Sequence, residues 1–222
     1  MTALAQRLDP ELLSWFALLG GPGEAEGFAG GADEREVGAL VDAARQGDRS
    51  AGTKLYQQHV RAVFRAVRTL VRDEQEAEDV AQEAFVRALT SLEQYRPREG
   101  ARFVSWVSAI ALNVARKRAR WWRRAVSDSD EAAKKRVEAV SEPHEDPGEA
   151  LDAARRKQAL LAAMAELPPR EREVLSLRYG AELSAAEVGE AMGLNEANVR
   201  KICERQRQKL LERLQEKLKE TP

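Results

Sequence analysis

Between Val37 and Val114 the apolar residues fall almost everywhere three or four positions apart. That spacing gives each segment one apolar stripe and one charged face, which commits the chain to helices packed on helices. Val37, Leu40, Val41 and Ala44 open the pattern, and Gly47-Asp48 breaks it. A second stripe carries Leu55, Val60, Val63, Phe64, Val67, Leu70 and Val71. Asp73 then stands three residues before Glu76, a capping-box-like start. The helix it predicts runs through Ala77, Val80, Ala81, Ala84, Phe85, Ala88, Leu89 and Leu92. Pro97 and Gly100 punctuate a loop, and a fourth helix carries Phe103, Val104, Trp106, Val107, Ile110, Ala111 and Val114. The strict alternation of a half-buried strand is absent, so the expected fold is all-α.

Of the 222 residues, 43% are apolar, 5% aromatic and 33% charged. This suits one or two compact cores under charged helix faces. Cys203 is the single cysteine, so an intramolecular disulfide is excluded and a reducing cytoplasm is the expected location. His59 and His144 with one cysteine make no zinc set. No apolar run approaches the length of a membrane span. Neither a metal nor a cofactor is expected.

The net charge of −1 conceals an alternation along the chain. Residues 1–35 carry −4, residues 36–125 carry +6, residues 126–152 carry −6 and residues 153–222 carry +3. Screening limits the reach of a charge to about 8–10 Å, so local patches rather than the whole-chain sum steer a polyanion. Residues 126–150 lose periodicity and gain acid, Pro143 and Pro147, the composition of a flexible linker. Two cationic helical domains, 36–125 and 151–222, are therefore expected on either side of a flexible acidic linker. Residues 1–35 form an N-terminal extension, with a short apolar segment from Leu12 to Leu19 followed by a glycine-rich stretch. Asp9 and Glu11 precede the apolar run and Arg7 is its one basic residue, which argues against a secretory signal. A docking helix on a flexible tether is expected, with a partner-binding peptide as the alternative.

In the second basic segment, Leu160, Leu161, Met164 and Leu167 keep helical spacing up to Pro168-Pro169. Val174, Leu175, Leu177 and Tyr179 mark a short helix stopping near Gly180. Ser184 and Glu187 form a capping box for the next helix, which places Val188 and Met192 inward. Gly193 follows, and Asn195 caps a last helix with Val199, Ile202, Cys203, Leu210, Leu211 and Leu214. Two helices joined by a tight glycine turn, the second rich in Arg and Lys, form a helix-turn-helix arrangement. Arg200, Lys201, Arg205 and Arg207 have the length and charge to reach phosphates or base edges, and Gln206 suits adenine. An ordinary helical hairpin with a solvated basic face is the competing description. Cys203 falls on the apolar side as a packed thiol.

Two clusters in the first domain carry further information. Asp79, Gln82 and Glu83 share one helical face. A solvated acidic face is the simplest account, and no glycine loop or partner base accompanies the carboxylates to suggest catalysis. Residues 116–124 hold six cations, no acid and two tryptophans. Cations neutralise phosphates and indoles stack on exposed bases, although a basic helix end with packed tryptophans has the same composition.

The order of these features resembles that of sigma-70-family RNA polymerase sigma factors. The stretch Asp73 to Arg124 resembles region 2, and Leu160 to Leu214 resembles region 4. The matching pieces are DVAQEAFVRAL from Asp79, FVSWVSAIALN from Phe103 and ELPPREREVLSLRY from Glu166, with the helix-turn-helix after the last. Two domains with only a linker between them are similar to the extracytoplasmic-function (ECF, group IV) subclass. The resemblance implies a non-enzymatic factor with no catalytic residue, which binds core RNA polymerase, recognises −10 and −35 promoter elements and promotes initiation. It places Asp79, Val80, Gln82 and Glu83 on the clamp helices of the polymerase β′ subunit. It assigns the −10 strand to Arg96, Arg98, Arg102, Phe103, Trp106, Asn113, Arg116, Lys117 and Arg120, with the loop from Arg96 to Arg102 holding an extruded base. Flipping a base costs a few kcal/mol, which a shaped pocket can repay selectively. It assigns the −35 duplex to Asn198, Arg200, Lys201, Arg205 and Arg207, and phosphate or β-flap contacts to Arg170 and Arg172. An anti-sigma factor is an implied partner. Ile202, Glu204 and Gln206 depart from the family's usual residues. The rivals are a helix-turn-helix regulator acting without being a polymerase subunit and a helical interaction adaptor.

Overall fold

The computed structural model describes residues 10–19, 34–96, 101–127 and 147–220, with side chains described up to 121 and again over 151–219. The described residues form helices throughout: α1 (Pro10–Ala17), α2 (Glu34–Arg45), α3 (Arg49–Arg68), α4 (Glu74–Thr90), α5 (Phe103–Ser127), α6 (Pro147–Ala165), α7 (Pro169–Leu175), α8 (Ala185–Met192) and α9 (Glu196–Glu220). A 3-10 turn (Leu92–Gln94) follows α4, and a π-helical turn (Ser176–Gly180) extends α7. No strand occurs among the described residues. Helix α6 begins at Pro147, earlier than the linker expected over 126–150 would allow, and α5 continues to Ser127. The remainder of that expected linker, residues 128–146, lies outside the described residues.

The helix starts follow from side chains that satisfy the free N–H groups of a first turn. Asp48 accepts from Ser50 N at 2.8 Å and Ala51 N at 3.3 Å to begin α3. Asp73 accepts from Glu76 N at 2.8 Å to begin α4. The Glu76 carboxylate accepts instead from Arg72 N at 3.1 Å, so this box is displaced by one residue from the reciprocal form. At α8 both halves of the box form, with Glu187 N donating to Ser184 Oγ and Ser184 N donating to Glu187 Oε2. The helix of Val174 to Tyr179 stops at Gly180 as expected, its last turn being π-helical. Its π turn puts Leu177 into one apolar cluster and Tyr179 into another, and both are buried.

Helices α2 to α5 form the first bundle around Val41, Leu55, Phe64, Phe85, Phe103 and Leu112. This core does not stop at the domain boundary. It continues through Val174, Leu177, Leu183, Val188 and Val199 of the second domain. The two parts therefore pack on each other rather than standing apart. At the joint, buried Arg65 of α3 donates from Nε to Gly180 O at 3.1 Å and from Nη2 to Glu182 at 2.9 Å. The Thr69 and Ser176 hydroxyls are hydrogen-bonded beside them. A Cβ on Gly180 would lie 2.8 Å from the backbone of Ala66, so glycine is what permits this approach.

A second apolar cluster joins α6, α7 and α9 with α1. Leu12, Phe16 and Leu19 are fully buried there, and the Phe16 ring lies 5.8 Å from that of Tyr179. The N-terminal apolar segment is thus a docked helix. No described helix is long and apolar enough to cross a membrane.

Candidate nucleic-acid interface

On α4, Asp79 and Gln82 are exposed and Glu83 is half-buried, while Val80 is fully buried in the bundle core. Val80 thus shapes the face from beneath and presents nothing to a partner in this conformation. Arg118 of α5 reaches across to Glu83 at 2.9 Å and Asp79 at 3.5 Å, and Arg87 pairs with Glu83 at 2.5 Å. Burial raises the Glu83 carboxyl, but the hydrogen bonds and charges of Arg118 and Arg87 outweigh it and leave the group below its ordinary value.

At the other end of α5, Tyr95, Phe103 and Trp106 form an aromatic cluster with centroids 5.2–5.9 Å apart. Arg45 holds the approach to it, donating to Leu92 O and, at 2.6 Å, to Tyr95 O. Arg96 donates to the carbonyls of Glu93 and Tyr95. Phe103 is fully buried and Trp106 half-buried, so Phe103 supports the wall that Trp106 presents. A cleft of about 290 Å³ opens there, lined by Tyr95, Arg96, Arg102 and Trp106 on one side and by Glu187 and Glu190 of α8 on the other. Arg98 lies outside the described residues.

Along α5, Asn113, Lys117 and Arg120 are exposed at i, i+4 and i+7, a single stripe. Two of the other basic residues expected on the strand, Arg102 and Arg116, are engaged by acids of the second domain. Arg102 forks onto Glu187, and Arg116 forks onto Glu173 at 2.9 and 2.6 Å. Burial pushes Glu187 up, but Arg102 and the Ser184 N–H bring it below its ordinary value.

In the last two helices, Gly193 at φ 65° ends α8, and Leu194 N donates to Gly189 O at 2.8 Å. A Cβ on Gly189 would lie 2.6 Å from Leu194 O, so Gly189 as well as Gly193 is needed for the tight turn. Asn195 caps α9 by accepting from Asn198 N at 2.7 Å. Asn198, Lys201, Arg205 and Arg207 are exposed at the start of α9. Arg200 pairs with Glu196 and Arg205 with Glu171 of α7. Gln206 is buried, so in this conformation it is packed rather than aimed at a base. Cys203 packs against both apolar clusters, and burial pushes its thiol up to about 11.

The family model described as Sigma-70 region 2 matches residues 55–125, and that of Sigma-70, region 4 matches residues 163–212. The chain is 31% identical to the ECF RNA polymerase sigma factor SigE of Mycolicibacterium smegmatis over 85% of this chain and 72% of that protein. The chain belongs to the sigma-70 family, in its ECF subclass. It is 28% identical to the ECF RNA polymerase sigma factor BldN of Streptomyces coelicolor over 78% of this chain, and spans 64% of BldN's length. The solved structure of CnrH in complex with the cytosolic domain of CnrY is 25% identical, with a TM-score of 0.57, covering 81% of this chain and 97% of CnrH.

In these terms α3 to α5 carry region 2, and the stretch from the end of α6 to α9 carries region 4. The acidic partners Glu173, Glu182 and Glu187, and the cover that Arg118 gives to Asp79 and Glu83, escaped the sequence reading. Glu173 stands 57 residues from Arg116 and Glu187 stands 85 from Arg102, whereas local spacing connects only neighbours within a helix. For Arg118 the basic cluster was visible but its target, 35 residues away, was not.

Proposed function

We propose that the chain binds core RNA polymerase, recognises −10 and −35 promoter elements and promotes transcription initiation as a non-enzymatic cytoplasmic subunit. The observation that carries the −10 part is the cleft walled by Tyr95, Arg96, Arg102 and Trp106 beside the exposed Asn113, Lys117 and Arg120 stripe. Its volume of about 290 Å³ accommodates one extruded base. The adjoining cations neutralise the strand backbone as it leaves. Region 4 supplies a basic helix N-terminus suited to a major groove, with Asn198, Arg200, Lys201, Arg205 and Arg207 toward the −35 duplex and Arg170 and Arg172 toward phosphate or the polymerase flap. The Asp79, Gln82 and Glu83 face supplies the surface for the polymerase clamp helices. An anti-sigma factor is the further expected partner.

The packed arrangement bears on this function. Glu187 and Glu190 line the cleft from the region-4 side, and Glu173 holds Arg116. A carboxylate stands where a phosphate would have to come, so region 4 moves off region 2 before a strand is held. The test is reconstitution of purified chain with core polymerase and promoter DNA. Specific transcripts starting downstream of a −10/−35 pair are the expected result. Unaided binding to duplex DNA with no effect on polymerase would favour the helix-turn-helix regulator, and no DNA binding in either setting would favour the adaptor.

A further inference from the structure

Helix α5 contains no acidic residue along its 25 positions. It carries Trp121, the one exposed aromatic among the described residues, with 55% of its surface open. An indole in that position forgoes the burial that tryptophan ordinarily brings to a core. A basic helix end with a packed tryptophan therefore does not describe Trp121.

Its place on the helix joins it to the strand-binding stripe. At 3.6 residues per turn, Trp106, Asn113, Lys117, Arg120 and Trp121 fall within about 100° of arc. Arg116 and Arg118 fall outside that arc, one on each side, where Glu173 of α7 and the Asp79 and Glu83 carboxylates of α4 hold them. Between them Asn113, Lys117, Arg120 and Trp121 are all exposed. This strip begins at the cleft, of which Trp106 is a wall, and ends at Trp121. At 1.5 Å of rise per residue the two tryptophans stand about 22 Å apart along the axis. That is the length of roughly six stacked nucleotides at 3.4 Å each.

A single strand is held by cations along its backbone and by π faces under its bases. The strip offers both, with Lys117 and Arg120 between two indoles. An apolar protein surface would instead have to desolvate those cations with no acid to pair them, which is costly. We propose that Trp121 is a second aromatic platform for promoter DNA: its indole stacks on the first unpaired base at the upstream fork, where the single strand rejoins the duplex. The proposal rests on the sigma-factor reading above. The end of α5 that carries Trp121 leads on through the chain to region 4, assigned above to the −35 duplex, which makes this end the upstream one. A base held on the indole is withheld from its partner strand, so Trp121 favours the melted state.

The test uses the full chain bound to core polymerase and a fork-junction promoter DNA, duplex upstream and single-stranded across the −10 element. The DNA carries 2-aminopurine at successive positions beside the fork. Trp121→Ala preserves helix propensity and is expected to weaken DNA binding at least about fivefold. It should also raise 2-aminopurine fluorescence at one fork position, while binding of core polymerase is unchanged. Trp121→Phe keeps a π face and is expected to restore most of both signals. Lys117→Ala should lower the salt slope of DNA binding by about one, whereas Trp121→Ala should leave that slope unchanged. Unchanged affinity and fluorescence in a folded Trp121→Ala chain overturn the proposal. Loss of polymerase binding in place of DNA binding also overturns it, because the indole would then be a protein contact. If the parent chain with polymerase fails to hold the fork DNA, the sigma-factor reading falls and this inference falls with it.

Discussion

Arg102 and Glu187, 85 residues apart, meet in a forked ion pair with Nε to Oε1 at 2.9 Å and Nη2 to Oε2 at 3.1 Å. The Arg102 N–H also donates to Oε1 at 3.2 Å, and its Nη2 donates to Glu182 O at 2.7 Å. Glu187 is nearly inaccessible and closes the capping box of α8 at the same time. One carboxylate thus closes the capping box of α8 and holds an arginine that lines the cleft. Arg116 and Glu173 form a second forked ion pair between the two domains, at 2.9 and 2.6 Å.

Replacing Glu173 with Gln is expected to free Arg116 without disturbing a helix cap. Affinity for single-stranded −10 DNA should rise by about 0.5–1 kcal/mol, roughly two- to fivefold, and the gain should shrink with added salt. Fluorescence anisotropy across a salt series measures this. An unchanged affinity in a folded variant would show that Arg116 takes no part in holding the strand.

Asp79→Arg combined with Glu83→Arg should abolish polymerase binding while leaving the fold intact, because neither carboxylate is in the core. Arg118→Ala should act in the opposite direction, since it removes the cation that covers both. A pull-down with core polymerase, read beside a thermal melt, distinguishes docking from unfolding. Full binding by the double variant would refute the docking role.

Arg200→Ala and Arg205→Ala should each weaken binding to a −35 duplex. The loss is about 1–3 kcal/mol for any that makes a bidentate base contact. Titrations on matched and scrambled duplexes separate the cases: equal losses on both would make these residues phosphate contacts. Glu171→Gln releases Arg205 from its α7 partner and should tighten binding to both.

His59 is buried against Phe103, 5.5 Å between rings, and burial together with the Arg102 charge lowers its pKa from 6.5 to about 4. The unfolded chain therefore takes up a proton near pH 6.5 that the folded chain refuses until about pH 4. This group costs nothing above pH 6.5. It removes stability as the pH falls through that window, to a total of roughly 3 kcal/mol, and adds no further slope below it. Urea unfolding at pH 7.5, 6 and 5 for the parent and His59→Gln measures the term as a difference in slope. Identical slopes would mean that the folded chain takes up the His59 proton as readily as the unfolded one.

The matched motifs and the caps were legible because they are local. Ser184 with Glu187, Asn195 with Asn198, and Gly193 act within one turn, so residue type and spacing suffice. The helical stripes were legible for the same reason. The sequence singled out the α1 segment and its docking character, but not the surface that receives it, which comes from α6, the π turn and α9. Val80, Phe103 and Gln206 show the converse difficulty. They lie in motifs with assigned partners, yet their side chains face inward.

Local physics therefore determined, from sequence alone, that this chain is helical, where its helices start, which faces are apolar and which segments are basic. Whether those basic segments face outward or are held by acids from the other region was decided only by folding. Ion pairing and close backbone approach, as at Arg102 with Glu187 and at Gly180 against Ala66, depend on distances in space between residues remote in the chain, and no spacing rule along the sequence encodes them.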